Sequence, residues 1–206
     1  MFNLIKSSPN NQKLSHSNPP SYLQKGFTFV ELLTAIAITS LLASIAIPNM
    51  SDFIVKLRVN NEISTLKRLL FVTRNSAINS GQRVILCPLT DGGTCTTDWG
   101  NSLSVFIDTN NNKRYDSANN EVLLVKKPAI KDGDILIYGK NRTKITYKPS
   151  GHLSGLSNGT LRYCPLNNQD KSRGIVIARS GRIYASSDVD NDGKDETRMN
   201  KEITCN

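Results

Sequence analysis

Between Phe27 and Ile47 the chain runs for 21 residues with one ionisable side chain, Glu31, and Pro48 closes the run. A helix of that length reaches about 30 Å at roughly 1.5 Å per residue, the thickness of a bilayer's hydrocarbon core. A secretory signal peptide would end its apolar region with a small-x-small cleavage site, and none stands close behind Pro48. From residue 49 to 80 the pattern changes. Met50, Phe53, Ile54, Leu57, Ile63, Leu66, Leu70 and Ile78 recur at three- or four-residue spacing or its multiples, with Lys56, Arg58, Asn60, Glu62, Lys67 and Arg74 between them. That period predicts an amphipathic helix with its stop signal at Gly81. Joined to the apolar run it gives a helix of about 54 residues, roughly 80 Å long, with a bend expected near Pro48.

After Gly81 the pattern turns to short β-rich runs broken by Gly, Asn, Asp and Pro. Strands are expected at 83–87, 102–107, 122–126, 135–138, 144–148, 161–164, 175–179 and 182–185. Eight short strands with tight turns suggest antiparallel sheets, and the whole is an α+β chain. Four segments follow: 1–26, a leader; 27–48, an apolar transmembrane helix; 49–80, its amphipathic second half; and 81–206, a β-rich domain large enough for one core.

Composition adds a basic balance and a compartment. The net charge is +9, and removal of Lys6, Lys13 and Lys25 with the acid-free leader leaves +6. Such a balance suits acidic partners, including nucleic acid, other subunits or lipid headgroups, without choosing among them. Residues 1–24 are rich in Asn, Ser, Pro and Lys and offer little that could pack. The four cysteines all follow the apolar run, as expected if that part matures in an oxidising space. Lysines and arginines flank the run on both sides, so charge alone does not orient it.

Glu31 is the residue that a plain anchor does not explain. An acid inside a membrane helix is expensive and calls for a named partner. A free α-amino group at Phe27 would supply one. That amine lies about one turn away in the same helix. In parallel, staggered helices it could instead be reached by the Glu31 of a neighbouring chain. A desolvated carboxylate facing an unpaired ammonium selects one register, because either charge left alone is costly.

The stretch Lys25-Gly26-Phe27-Thr28-Phe29-Val30-Glu31-Leu32-Leu33 resembles the prepilin motif of type IV pilins and of the pseudopilins of type II secretion. The resemblance implies cleavage after Gly26 by a membrane prepilin peptidase, N-methylation of Phe27, and Glu31 as the carboxylate at the fifth mature position. It implies a pilin-like fold, with the apolar half of the helix protruding and the amphipathic half packed on antiparallel sheets. It implies a cytoplasmic N-terminus, residence in the inner membrane as a single-pass protein with a periplasmic C-terminal domain, and passage into a pilus or filament at the cell surface. Other major and minor pilins and an inner-membrane assembly platform are the partners it implies. Glu31 and Pro48 would serve assembly. Within the class, Trp99-Gly100, then SVFIDTNNN, EVLL, TYKPSGHLSG, LRYC and GIVIARSGRI, in that order, resemble the FimT/GspH-type minor pilins and pseudopilins. Minor members of this kind are thought to initiate assembly or cap the tip.

Four cysteines allow three pairings. Cys87 and Cys95 could close a small surface loop across Pro88 and Gly92-Gly93; Cys164 and Cys205 would then tie the C-terminal tail to a strand. No CxxC occurs, and disulfides are favoured over a metal site. No cofactor is expected, calcium being the one candidate. Asp108, Asn110 and Asn112 (with Asp116), and Asp188, Asp190 and Asp192 with Gly193, resemble the start of a calcium loop, with oxygen ligands at positions 1, 3 and 5. The first lacks the Gly, and the second has Met199 at position 12. Asx-rich turns also form without metal, because Asn and Asp bond their own backbone.

The C-terminal third is basic, with Arg162, Lys171, Arg173, Arg179, Arg182, Arg198 and Lys201. Some pilins of the FimT type bind DNA in natural transformation through Gly-Arg-x-Arg between the last strands. The matching stretch here is Gly181-Arg182-Ile183-Tyr184, close to Arg179. The first Arg is kept and the second is replaced by Tyr184, a departure from the motif; a solvated basic face on a structural subunit is the alternative reading. Arg contacts to phosphate would be salt-sensitive, and a Tyr can stack on a single-strand base. Nothing reads as catalysis: there is no GxSxG, Walker loop or HExxH, and His152 falls in an expected turn. The sequence thus describes a peptidase substrate and filament component, from either a type IV pilus or a type II secretion machine, with a DNA receptor as the competing reading.

Overall fold

The computed structural model describes residues 26–205, so the expectations for residues 1–25 lie outside the described residues. The chain divides between Ile45 and Ala46 into two units. Helix α1 is assigned over Phe29–Ser80. Pro48, where a bend is expected, and Asn49 fall within it, but their side chains are outside the described set. Within the first unit, every described residue of the apolar stretch is exposed. Residues Phe29–Ile47, with a mean hydropathy of 2.1, are long and apolar enough to cross a membrane.

In the second unit α1 buries a narrower stripe than its hydrophobic period suggests. Val59, Ile63, Leu66, Leu70, Thr73 and Ala77, with Leu69 beside them, face the core. Their spacing of four, three, four, three and four is one face of an α-helix. Met50, Phe53, Ile54 and Leu57, which the same period puts on the packed face, are more than half exposed, and Ile78 is 46% exposed. Packing against the sheets begins at Val55 and Val59, about one and a half to two and a half turns after the apolar pattern begins at Met50. The helix ends at Ser80, and Gly81 follows with φ +65, the left-handed conformation that glycine adopts without steric cost.

All eight expected strands form, in two antiparallel four-stranded sheets. The first contains β1 (Arg83–Pro88), β2 (Leu103–Asp108), β3 (Leu123–Lys127) and β5 (Ile145–Tyr147) in the order β3-β2-β1-β5. The second contains β4 (Ile135–Tyr138), β6 (Gly159–Cys164), β7 (Arg173–Ile177) and β8 (Ile183–Ala185) in the order β4-β6-β7-β8. Alternate residues of both sheets meet the helix stripe in one core: Val84 and Leu86, Leu103 and Val105, Leu136 and Tyr138, Ile145 and Tyr147, Leu161 and Tyr163, Ile175 and Ile177. The other face of β1 contributes Ile85 and Cys87 to a smaller cluster with Phe106 and Cys95. This explains why β1 reads as an unbroken apolar run: it is covered on both faces.

Charged groups fix the helix on this base. Lys127 Nζ, at the end of β3, lies 2.7 Å from Glu62 Oε1. Arg58 Nε lies 3.4 Å from Asp134, whose buried carboxylate also accepts hydrogen bonds from the Tyr163 hydroxyl and from Leu166 N. Arg173 Nη1 donates to Asn60 Oδ1 while its Nε donates to Asp195 at 2.8 Å. Partial burial makes these pairs costly to break one side at a time, so they hold a register rather than supply bulk stability.

Candidate functional site

The N-terminus of α1 is organised around Glu31. Thr28 precedes the helix, and Glu31 is its third residue. Thr28 N donates to Glu31 Oε2 at 2.8 Å and Thr28 Oγ1 donates to the same oxygen at 2.9 Å. In return Glu31 N donates to Thr28 Oγ1 at 3.2 Å. This is a capping box: a Thr-x-x-Glu pair satisfies two N–H groups that the helix itself leaves open. The sequence reading missed Thr28, although the T-x-x-E spacing is legible in it. Gly26 and Phe27 stand just ahead of the cap; a Cβ at Gly26 would meet nothing within 4 Å, and Phe27 is 91% exposed. One carboxylate oxygen of Glu31 is therefore held by its own chain, and the other has no partner drawn from Thr28.

The cysteines pair as Cys87–Cys95 and Cys164–Cys205, with Cα separations of 5.6 and 6.2 Å. The first closes the loop after β1; the second joins the tail to β6, beside Ile203, which is 4% exposed, and Thr204, whose carbonyl accepts from Arg162 Nη1 at 3.0 Å.

The four residues considered for DNA lie on the β7–β8 turn and on β8. Gly181, with φ +79, sits so close to the neighbouring turn that a Cβ would stand 2.0 Å from Gly151 O, so glycine is required there for packing. Arg179 and Arg182 are exposed. Arg182 stands 5.9 Å from the Tyr184 ring centroid, and Arg198, from the C-terminal loop, stacks over the same ring at 3.8 Å. A second guanidinium thus returns beside Arg182 from sixteen residues along the chain. Three more cations of the basic third are engaged within the molecule. Arg173 bonds Asp195 and Asn60, Lys171 Nζ lies 3.1 Å from Asp52, and Arg162 bonds Thr204 O.

Asp188, Asp190 and Asp192 fall together in one exposed loop, and the structure adds Glu196, which the sequence reading did not single out: one carboxylate oxygen from each lies within 4.8 Å of the others. In the other Asx-rich loop, Asp108 is buried, with Oδ1 accepting from Lys113 N at 3.3 Å; Asn110 and Asn112 each accept a backbone N–H two residues on, and Glu121 Oε2 accepts from Asp116 N.

Residues 62–181 match the family described as Type II transport protein GspH, and residues 22–47 match the Prokaryotic N-terminal methylation motif. A Fimbrial protein of Pseudomonas aeruginosa is 37% identical over 62 residues, 30% of this chain and 40% of that protein. The Type IV major fimbrial protein FimA of Dichelobacter nodosus is 32% identical over 75 residues, 36% of this chain and 39% of that protein. The chain therefore spans about two fifths of the length of these curated relatives. The type IV minor pilin FimU of Pseudomonas aeruginosa has a similar fold, with a TM-score of 0.51 and 19% identity over 66% of this chain and 92% of the other. The match over residues 62–181 makes this chain a member of the GspH family, and the long N-terminal helix with two antiparallel sheets gives it a pilin-like fold.

Proposed function

We propose that this protein is a minor subunit of a pilus-like filament, made as a membrane-anchored precursor, cut by prepilin peptidase between Gly26 and Phe27, methylated on Phe27, and drawn by an inner-membrane platform into a filament through α1. The observation that carries the reading is the apolar surface of α1. Exposed large side chains run from Phe27 through Ile47, then on through Met50, Phe53, Ile54 and Leu57, beyond the stretch that a bilayer would cover. Apolar side chains exposed beyond the length that a bilayer covers call for a protein partner as well as a lipid one. Parallel helices of other pilins supply it, and Pro48 falls inside the stretch they would cover. Glu31 sets the register: Thr28 holds one of its oxygens, which leaves the carboxylate oriented to meet a neighbouring Phe27 amine. The role is structural, at initiation or at the tip, with the disulfide-closed domain carried outside the membrane.

The test is the mass and N-terminal sequence of the protein recovered from sheared filaments. A chain that begins at methylated Phe27 supports the reading; a chain that keeps Gly26 in the filament removes it.

A second reading, DNA binding during uptake, is favoured by one observation. Arg182 and Arg198, both exposed, stand 5.9 and 3.8 Å from the ring centroid of half-buried Tyr184 at the β7–β8 end of the domain, two cations beside an aromatic ring, a combination suited to single-strand phosphate and base.

A further inference from the structure

We propose that Asp188, Asp190, Asp192 and Glu196 bind a calcium ion, with Glu196 supplying the carboxylate that calcium loops of the helix–loop–helix type place twelve positions from their start. The three aspartates occupy positions 1, 3 and 5, and Gly193 occupies position 6 with φ +89. Position 12 is Met199, which is 91% exposed and carries no suitable donor. Glu196 arrives from position 9 instead. Its Oε2 accepts a hydrogen bond from Val189 N at 2.8 Å, which folds the side chain back over the loop.

The loop's own hydrogen bonds would form in any Asx-rich turn, so they do not identify a ligand. Glu196 does. It is 4% exposed, bridged on one side to Ser187 and on the other to Glu202, and its Oε1 is buried without a hydrogen-bond partner while the carboxylate faces the three aspartates. A buried carboxylate oxygen without a donor is costly unless a cation satisfies it. Charge points the same way. Among the described residues one ion pair reaches the four carboxylates, Lys194 Nζ to Asp192 Oδ2 at 3.5 Å, and that lysine is shared with Glu202 at 3.2 Å. Asp195, the remaining acid of the loop, is taken by Arg173 and by Ser186 Oγ at 2.6 Å. The donors are all oxygen, which selects a hard cation over zinc or copper. Carboxylates gathered along one exposed loop suit the irregular coordination of calcium better than the strict octahedron of magnesium.

The loop lies beyond residue 181, where the family match ends, so the site is argued from this chain's own residues. Its base is joined to α1, because Arg173 holds Asp195 with Nε and Asn60 of the helix with Nη1. Calcium would therefore order the end of the domain that packs on the helix.

The test is calorimetric titration of calcium chloride into the full chain, stripped with chelator and held in detergent at physiological salt, beside thermal unfolding with calcium or with chelator. One calcium per chain, a higher melting temperature in calcium and weaker binding of magnesium are expected. Glu196→Gln should lower calcium affinity at least tenfold. Asp190→Asn, at an exposed position where folding is not at risk, should lower it as well. No heat and no melting shift at millimolar calcium, or magnesium bound as tightly, would overturn the site. Unchanged affinity in Glu196→Gln would overturn the part given to that residue.

Discussion

Thr28 and Glu31 close a reciprocal pair at the start of α1: Glu31 Oε2 accepts from Thr28 N and Oγ1 at 2.8 and 2.9 Å, and Glu31 N donates back to Thr28 Oγ1 at 3.2 Å. The carboxylate therefore has a fixed direction before any second subunit arrives. That pre-organisation lowers the ordering cost of an intersubunit contact. It also gives Glu31 two separable roles, as helix cap and as filament contact.

The two roles predict different outcomes for two substitutions. Glu31→Ala should leave membrane insertion and cleavage intact while incorporation into filaments is lost. Thr28→Ala removes only the cap, worth about 1 kcal/mol, so incorporation should fall by about fivefold, the factor which that energy represents. Immunoblots of sheared filaments against total membrane protein measure both. Wild-type incorporation of Glu31→Ala would rule out the carboxylate as the contact.

The two disulfides should differ in weight. Cys164 and Cys205 are 41 residues apart and Cys87 and Cys95 are 8 apart. Loop-closure entropy gives the longer bridge about 4 kcal/mol and the shorter about 2.5 kcal/mol. Replacing Cys164 and Cys205 together by Ala should therefore cost more than replacing Cys87 and Cys95, as read from denaturant midpoints of the two double variants. The longer bridge also holds Ile203 in its buried place, which adds to its share. Equal losses would show that chain entropy is not the deciding term.

Much of this architecture is legible in the sequence because it rests on local rules. Gly81 ends the helix, and β1 announces its double burial by the unbroken run Val84-Ile85-Leu86-Cys87. Strand ends are less legible. Residues 178 and 179 read as strand, but Ala178 N and Gly181 N are used in the turn, so β7 stops at Ile177 and its partner β6 is extended back to Gly159. The helix stripe misleads for a different reason. Met50, Phe53, Ile54 and Leu57 obey the helical period yet lie exposed, since the period reports that a face is apolar and not which partner covers it. Arg198 is not legible as the partner of Tyr184, because its position depends on how the last segment returns past β8 and no spacing rule encodes that. Glu196 stands at position 9 of the aspartate loop, a ligand position in calcium-loop spacing, so spacing alone could have singled it out.

Alkaline pH should unfold the domain sharply. Burial raises the hydroxyl of Tyr147, to about 12, and it raises those of Tyr138 and Tyr163 as well, the last also through its hydrogen bond to Asp134. A tyrosine pKa raised in the folded state means that the unfolded chain loses the proton first. Stability is then complete below about pH 10, the unfolded value, and falls as pH rises through the folded one. For Tyr147 alone the loss amounts to about 2–3 kcal/mol. Far-UV circular dichroism and tyrosinate absorbance should change together above pH 10. Tyrosinate formation by all the buried tyrosines while the circular dichroism stays native would contradict their burial.

The exposed group at the β7–β8 end yields the sharpest test between the two functional readings. Arg198 lies 3.8 Å from the Tyr184 ring centroid and Arg182 lies 5.9 Å from it, so two cations stand beside one aromatic ring. If this surface binds DNA, fluorescence anisotropy of a labelled single strand should give an affinity that falls steeply between 50 and 200 mM salt. Arg182→Ala and Arg198→Ala should each weaken binding and each reduce the salt slope, by about 1 if the lost contact is to a phosphate. Tyr184→Ala should cost about 1–3 kcal/mol on a single strand through lost stacking, and less on a duplex whose bases stay paired. Arg173 and Lys171 are held by acids within the domain, so they are poorer candidates for phosphate contact than this cluster. Absence of binding by the wild-type protein at 50 mM salt would leave the filament role standing and withdraw the DNA reading, whereas binding unchanged in all three variants would move the contact to another face.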